Sequence, residues 1–283
     1  MDINKVGVVG CGLMGSGIIQ VCAQSGFDVN VTEEDQKTLD KGMASIDSVL
    51  SRRAKNGKLT QKDKDATIER ISGSTDYKNF SECDLVIEAV FENMELKKKV
   101  FKELDQVCSQ DTILATNTSV LSVIELAGMT RNPENVLGMH FFFPVPVMKL
   151  LEIVKTLATS DETLEVAKEF GKAIGKETIV APDIPGFIVN RIFAPFQMSA
   201  IRMLEQGIAS AEDIDKGTTL ALGHPIGMLA LSDLQGLDTL LDVMRALYDV
   251  SGDTNLRPPV LLEKMVAVGW LGRKAGKGFF EYE

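Results

Sequence analysis

The chain has 283 residues, 45% of them apolar and 25% charged, with a formal net charge of −10. That length fits two domains, and that composition excludes a disordered chain; no apolar run reaches the roughly 18 residues of a membrane span. The acidic balance argues against nucleic acid as a partner, because phosphate-backbone binding needs clustered Lys and Arg, but it leaves a small anionic ligand open, since a local basic patch can override the global charge.

Residues 1–5 lead straight into a strand pattern, with no charged and apolar leader. Residues 5–9 (KVGVV) form a β-branched run that ends in a Gly-rich turn, residues 13–24 carry helical spacing, and 28–31 are a second strand. Strand, turn, helix, strand is the opening of a βαβ unit. A polar-faced helix follows over 36–53, then a loop at Asn56 and Gly57 and a helix near 60–71. Strands at 85–88, 112–116, 136–139 and 149–154 alternate with helices at 94–108 and 120–127, and a last pair lies at 161–174 and 178–180. This alternation predicts an α/β fold, a mostly parallel sheet with helices on both faces. Asp183, Ile184, Pro185 and Gly186 form a turn-rich break, after which the periodic segments at 187–204, 211–220 and 232–248 are all helical. The expected organisation is a Rossmann-type domain over 1–183 and an all-helical domain over 184–283. Cys11, Cys22, Cys83 and Cys108 form no CxxC pair and match no zinc spacing. They read as free thiols of a reducing cytoplasm, and no metal is expected.

Gly10-Cys11-Gly12-Leu13-Met14-Gly15 is a GxGxxG that follows a strand, opens a helix, and has Glu33 at the end of the next strand. Gly10 permits the tight turn, Gly12 lets backbone approach a pyrophosphate, and Gly15 lets helix and strand pack. The helix N-terminus offers N–H groups and partial positive charge to the phosphates. Glu33 accepts from a ribose diol and repels a 2′-phosphate, as do Glu34 and Asp35, so the cofactor expected is NAD.

The fold alone does not name a substrate. The chain has two histidines. His140 lies in GMHFFFP directly after a strand, where ligands bind in this fold class, whereas His224 in Gly-His-Pro reads as a turn residue. Ser119 lies in TNTS after another strand, where it can also cap the helix from Val120. Glu152 sits in the next strand and Asn190 early in the second domain. Oxidising a secondary alcohol needs a base near neutral pKa, which suits His140. A carboxylate on the far imidazole nitrogen would set its tautomer, for which Glu152 is the candidate, and Ser119 and Asn190 can donate to the reacting oxygen; taken alone, Glu152 also reads as an ordinary strand residue and Asn190 as a solvated helix residue.

These segments resemble the L-3-hydroxyacyl-CoA dehydrogenase family, most closely its short bacterial members, the 3-hydroxybutyryl-CoA dehydrogenases. The resemblance rests on VGVVGCGLMGSGI, DLVIEAVFENMELKKKVF, ILATNTSVLSV, GMHFFFPVPVMKLLEIV, PGFIVNRI, GIASAEDID and GWLGRKAGKGFFEY, in order over nearly the whole chain. It implies catalytic roles for Ser119, His140, Glu152 and Asn190, and contacts of Glu92, Lys97 and Asn117 with the cofactor. Ser48 and Lys55 look like the positions that hold the CoA portion, with Arg52 and Arg53 as nearby alternatives. It further implies a short-chain acyl-CoA substrate between the domains, a homodimer built by the helical domain, and no membrane partner. Two positions depart from the family: Phe143 replaces the Asn of HFFNP, and Met228 replaces the Pro after PxG. Rival readings are a dehydrogenase of free hydroxy acids of the gulonate type and a non-catalytic dinucleotide-binding protein.

Overall fold

The computed structural model describes residues 2–282. Between Ile184 and Pro185 the chain divides into two compact units, one residue beyond the expected break. In the first unit, eight strands form one sheet: β1 (Lys5–Val9), β2 (Asp28–Thr32), β3 (Ile71–Ser74), β4 (Leu85–Glu88), β5 (Ile113–Thr116), β6 (Val136–Phe141), β7 (Leu150–Lys155) and β8 (Glu177–Pro182). The spatial order is β3-β2-β1-β4-β5-β6-β7-β8. Every neighbouring pair is parallel except β6 and β7, which are antiparallel. The order reverses at β1, which places a ligand crevice beyond the carboxyl ends of β1, β2 and β4. Residues of β1, β4, β5 and β6 are almost all buried, as strands covered on both faces require. Each such Val, Ile or Leu contributes about 1.5–3 kcal/mol of burial.

The covering helices are α1 (Leu13–Gln24), α2 (Gln36–Lys55), α3 (Gln61–Glu69), α4 (Met94–Val107), α5 (Val123–Ala127) and α6 (Asp161–Ala173). Asp35, Thr60, Asn93 and Ser160 cap α2, α3, α4 and α6 by accepting from the backbone three residues on. The first helix differs: its N-cap is Gly12, and no side chain caps it. Two expectations need correction. The helix expected to run to residue 71 ends at Glu69, and the strand β3 that follows was not anticipated. Its sequence, ISGS, is a short and largely exposed edge with no apolar alternation to reveal it. The helix expected from Val120 begins at Val123, because the Thr118 hydroxyl first closes a turn by accepting from the N–H groups of Val120 and Leu121. Asp183 then caps α5, accepting from the Val123 and Ile124 N–H groups at 3.0 and 2.7 Å.

The second unit contains α7 (Val189–Glu205), α8 (Ala211–Lys216), α9 (Met228–Gln235), α10 (Leu237–Ser251) and α11 (Val260–Ala267). Met198, Ile201, Leu229, Leu241, Met244, Leu247 and Leu262 are buried among them. The helix expected at 211–220 changes to wider π winding over Gly217–Ala221. The one expected at 232–248 is two helices, parted by Gly236 at φ +94°. The periodicity alone also missed α11. Met228 is the first residue of α9, a position proline favours, and its side chain is fully buried. Buried Asp233 clamps the C-terminal segment, accepting from the N–H groups of Phe279 and Phe280 and from the Tyr282 hydroxyl. The basic run at 271–274 is absorbed locally: Arg273 stacks over Tyr282, and Lys274 pairs with Asp238. His224 packs its ring against Phe196. Among the described residues, no helix is long and apolar enough to cross a membrane.

Candidate active site

The Gly-rich turn stands at the carboxyl end of β1. Gly10 has φ +92°, a conformation closed to most side chains, and its N–H donates to Thr32 O at 2.9 Å. A Cβ on Gly15 would lie 1.9 Å from the carbonyl oxygen of Gly10, so α1 packs on the turn only through a glycine. A Cβ on Gly12, by contrast, would meet no atom of the chain within 4 Å. The chain therefore leaves open space over Gly12, which a closely approaching pyrophosphate would require. Leu13 and Met14 follow in the uncapped first turn of α1. Glu33, just beyond β2, accepts from the Cys11 N–H at 2.5 Å and so faces the turn. This arrangement fits NAD: backbone donors for the phosphates and a carboxylate for the ribose.

Cys11 lies in the same turn but is no nucleophile. Burial, reinforced by the Glu33 carboxylate, pushes its thiol up to about 12. All four cysteines are buried and unbridged.

The acid–base cluster forms at the sheet's other carboxyl ends. His140 is the penultimate residue of β6, and the antiparallel register sets it directly opposite Glu152 of β7. Nδ1 of the imidazole lies 2.6 Å from Glu152 Oε2, and both residues are buried. On the other side of the ring, Nε2 lies 3.2 Å from Ser119 Oγ. A carboxylate at Nδ1 requires a proton on that nitrogen in the neutral ring, which leaves Nε2 as the basic atom. The Phe142 ring lies 4.5 Å from the imidazole, centroid to centroid, and Phe143, next in the chain, is 58% exposed.

Ser119 does not cap α5 as its sequence position allowed; Asp183 takes that work. Ser119 is instead fixed by Glu92, whose Oε1 accepts from the Thr118 hydroxyl at 2.6 Å and the Ser119 N–H at 2.9 Å. Asn117 Oδ1 accepts from the Phe141 N–H at 2.9 Å, tying the turn to the end of β6. Lys97 is buried, and its ammonium lies 2.7 and 2.9 Å from the two oxygens of Glu88 and 3.4 Å from Glu92. Sequence reasoning passed over Glu88, Thr116 and Thr118. The one signal was a carboxylate closing the otherwise apolar strand LVIE.

Ser48 and Lys55 are both exposed on α2. Their spacing puts them on one face, with Arg52 between. Arg53 is half-buried and lines a concavity of about 310 Å³ together with Met148, Lys149 and Lys176. Asn190 belongs to the second unit, half-buried in the first turn of α7.

Acid–base chemistry beside a dinucleotide turn is what oxidation of a secondary alcohol demands, and the class defined by the first unit is that of the dinucleotide-dependent dehydrogenases. Comparison with known proteins narrows the class. The sequence profile described as 3-hydroxyacyl-CoA dehydrogenase, NAD binding domain, matches residues 5–184, and that of the C-terminal domain matches 186–282. A probable 3-hydroxybutyryl-CoA dehydrogenase of Bacillus subtilis is 43% identical over 283 residues, covering 100% of this chain and 99% of the relative. A 3-hydroxybutyryl-CoA dehydrogenase of Clostridioides difficile is 44% identical over 278 residues, 98% of this chain and 99% of the relative. The crystal structure of (S)-3-hydroxybutyryl-CoA dehydrogenase from Ralstonia eutropha superposes with a TM-score of 0.96 at 44% identity, covering 100% of both chains. The chain belongs to the 3-hydroxyacyl-CoA dehydrogenase family and is an NAD-dependent dehydrogenase.

Proposed function

We propose that the chain interconverts a short-chain (S)-3-hydroxyacyl-CoA, 3-hydroxybutyryl-CoA above all, with the 3-oxoacyl-CoA. The observation that carries this reading is the Ser119–His140–Glu152 cluster, with Nε2 of the imidazole directed to a hydroxyl rather than to the carboxylate. In the oxidative direction Nε2 takes the proton of the substrate C3 hydroxyl, the C3–H bond gives up its hydride, and the C–O bond becomes a carbonyl. Bound NAD supplies the hydride acceptor. Glu152 stabilises the imidazolium that forms, and the Ser119 hydroxyl donates to the reacting oxygen. In reverse, the imidazolium protonates the alkoxide.

Asn190 is assigned as a second donor to that oxygen on the family resemblance alone, and Asn190→Ala lowers kcat if it serves there. Glu92, Lys97 and Asn117 are assigned to the cofactor side, with Lys97 acting from its ion pairs. For the CoA phosphates, Ser48 and Lys55 are joined by Arg53 and Lys149, which border one concavity. Exposed Ile192, Leu220, Leu222 and Leu234 of the helical unit supply an apolar surface for a homodimer. Light scattering checks this against the 30.8 kDa chain mass. The buried thiols suit a reducing cytoplasm.

The deciding assay compares acetoacetyl-CoA with free acetoacetate, each with NADH and with NADPH. The proposal expects kcat/KM to favour acetoacetyl-CoA with NADH by at least about 100-fold over the free acid, from lost CoA binding energy. A preference for the free acid overturns it in favour of a gulonate-type activity, and NADH binding with no turnover indicates a non-catalytic protein.

A further inference from the structure

Glu88 closes β4 with its side chain fully buried. A buried carboxylate is costly unless every lone pair is used. Here Oε1 accepts from the Val90 N–H and from the Lys97 ammonium, each at 2.7 Å. Oε2 accepts from Lys97 at 2.9 Å and from the Thr116 hydroxyl at 2.7 Å. Lys97 is equally enclosed, with 1% of its side chain exposed. It extends from α4 between Glu88 and Glu92, 3.4 Å from Glu92 Oε2. The other oxygen of Glu92 accepts from Thr118 and Ser119, and Ser119 Oγ meets His140 Nε2.

These contacts form one unbroken chain, Glu88–Lys97–Glu92–Ser119–His140–Glu152, which crosses the sheet from β4 to β7. Of its members, only Ser119 and His140 are assigned to the reacting oxygen. An ion pair that merely filled the core would be replaceable by apolar groups at little or no cost in stability. This one ends on a side chain, Glu92, that is 38% exposed and holds the Ser119 backbone. Loss of the pair releases that grip while leaving the strands in place.

We infer that Glu88 is a positioning residue for the dehydrogenase reaction: through Lys97 and Glu92 it fixes the turn that aims the Ser119 hydroxyl at His140. This rests on the proposed role of His140, and it assigns Lys97 a mechanical role in addition to any contact with cofactor.

The test uses the full-length enzyme, Glu88→Gln, and the double variant Glu88→Gln with Lys97→Met, which removes both charges together. Three quantities are read: thermal midpoint, steady-state kinetics with NADH and acetoacetyl-CoA, and the imidazole chemical shifts of His140 by NMR without ligands. The chain has two histidines, so His224 is the internal control. Expected for the double variant is a thermal midpoint close to wild type, a kcat lower by about 10-fold or more, and a KM for acetoacetyl-CoA within about threefold. The His140 ring signals move through the altered Ser119 contact, while those of His224 stay fixed. Glu88→Gln alone shows the same losses, with reduced stability because the buried lysine keeps only its longer contact with Glu92. An unmoved His140 signal in the double variant overturns the inference whatever its kcat, because a kcat loss alone also follows from the cofactor contact assigned to Lys97, and it leaves Glu88 as a core ion pair. Wild-type enzyme that fails to turn over acetoacetyl-CoA sinks the proposed substrate instead, and the NMR arm then decides the positioning role by itself.

Discussion

Replacing Glu152 by Gln is the sharpest perturbation of the acid–base pair, because it removes one charge and almost no volume. The imidazole Nδ1 and the Glu152 oxygen are 2.6 Å apart in a buried setting. Two unit charges about 4 Å apart in an effective dielectric of about 20 attract by about 4 kcal/mol, a figure realised only when the ring is protonated. At about 1.4 kcal/mol per tenfold in rate, that stabilisation is worth about three orders of magnitude. The amide keeps part of it by accepting from Nδ1–H, but it can also donate to Nδ1 and move the ring proton to Nε2, which removes the base. Glu152→Gln therefore lowers kcat by about 10² to 10⁴, leaves NADH affinity within about threefold, and keeps the thermal midpoint within a few degrees. NADH oxidation followed by absorbance with saturating acetoacetyl-CoA reads the first quantity and fluorescence titration the second. A kcat within about tenfold of wild type would refute the claim that this carboxylate supports the proton transfer.

The Gly-rich turn separates packing from ligand binding. Gly12→Ala leaves the thermal midpoint unchanged, since its Cβ meets open space, but weakens NADH binding by about tenfold or more; Gly15→Ala, driven into the Gly10 carbonyl, destabilises the fold by about 1–3 kcal/mol or more. Equal effects of the two in a thermal shift series contradict that division. Burial pushes Cys22, Cys83 and Cys108, like Cys11, up to about 12, so the thiols stay protonated at pH 8. Ellman's reagent then reacts negligibly with native protein and with all four after guanidinium denaturation; rapid native labelling contradicts the buried assignment. Lys176 donates to the carbonyls of Val145 and Met148 at 2.5 and 2.7 Å, between the strands that carry His140 and Glu152. Lys176→Met orphans two carbonyls at about 1–3 kcal/mol each and lowers the thermal midpoint by roughly 5–10 °C, as calorimetry can check.

The parts of this site legible in the sequence are those written in local pattern. The βαβ opening, GxGxxG and Glu33 stand within one short segment, and the structure has the strand, turn, helix and strand they describe, with Gly10 at positive φ, Gly15 packed on the turn and Glu33 facing it. His140 and Glu152 were candidates by type and motif, but their pairing depends on the antiparallel register of β6 and β7, which no periodicity encodes. Ser119 shows the opposite failing: its sequence position allowed a cap, while distant Asp183 caps α5 and frees it to face the imidazole. Glu88 was invisible because one carboxylate at the end of an apolar strand looks like a solvent-facing terminus until Lys97 is seen to reach it from α4. The same locality explains the fold errors. The edge strand β3 carries too few apolar residues to announce itself, and the break at Gly236 depends on a positive φ that the apolar spacing on either side conceals.

The most direct measurement of the central claim is single-turnover NADH oxidation by His140→Gln with acetoacetyl-CoA, alongside NADH affinity of the same variant. Proton delivery from this imidazole requires a loss of about 10² to 10⁴ in the turnover rate with NADH affinity unaltered. Turnover close to wild type contradicts it and moves the acid–base role to another group.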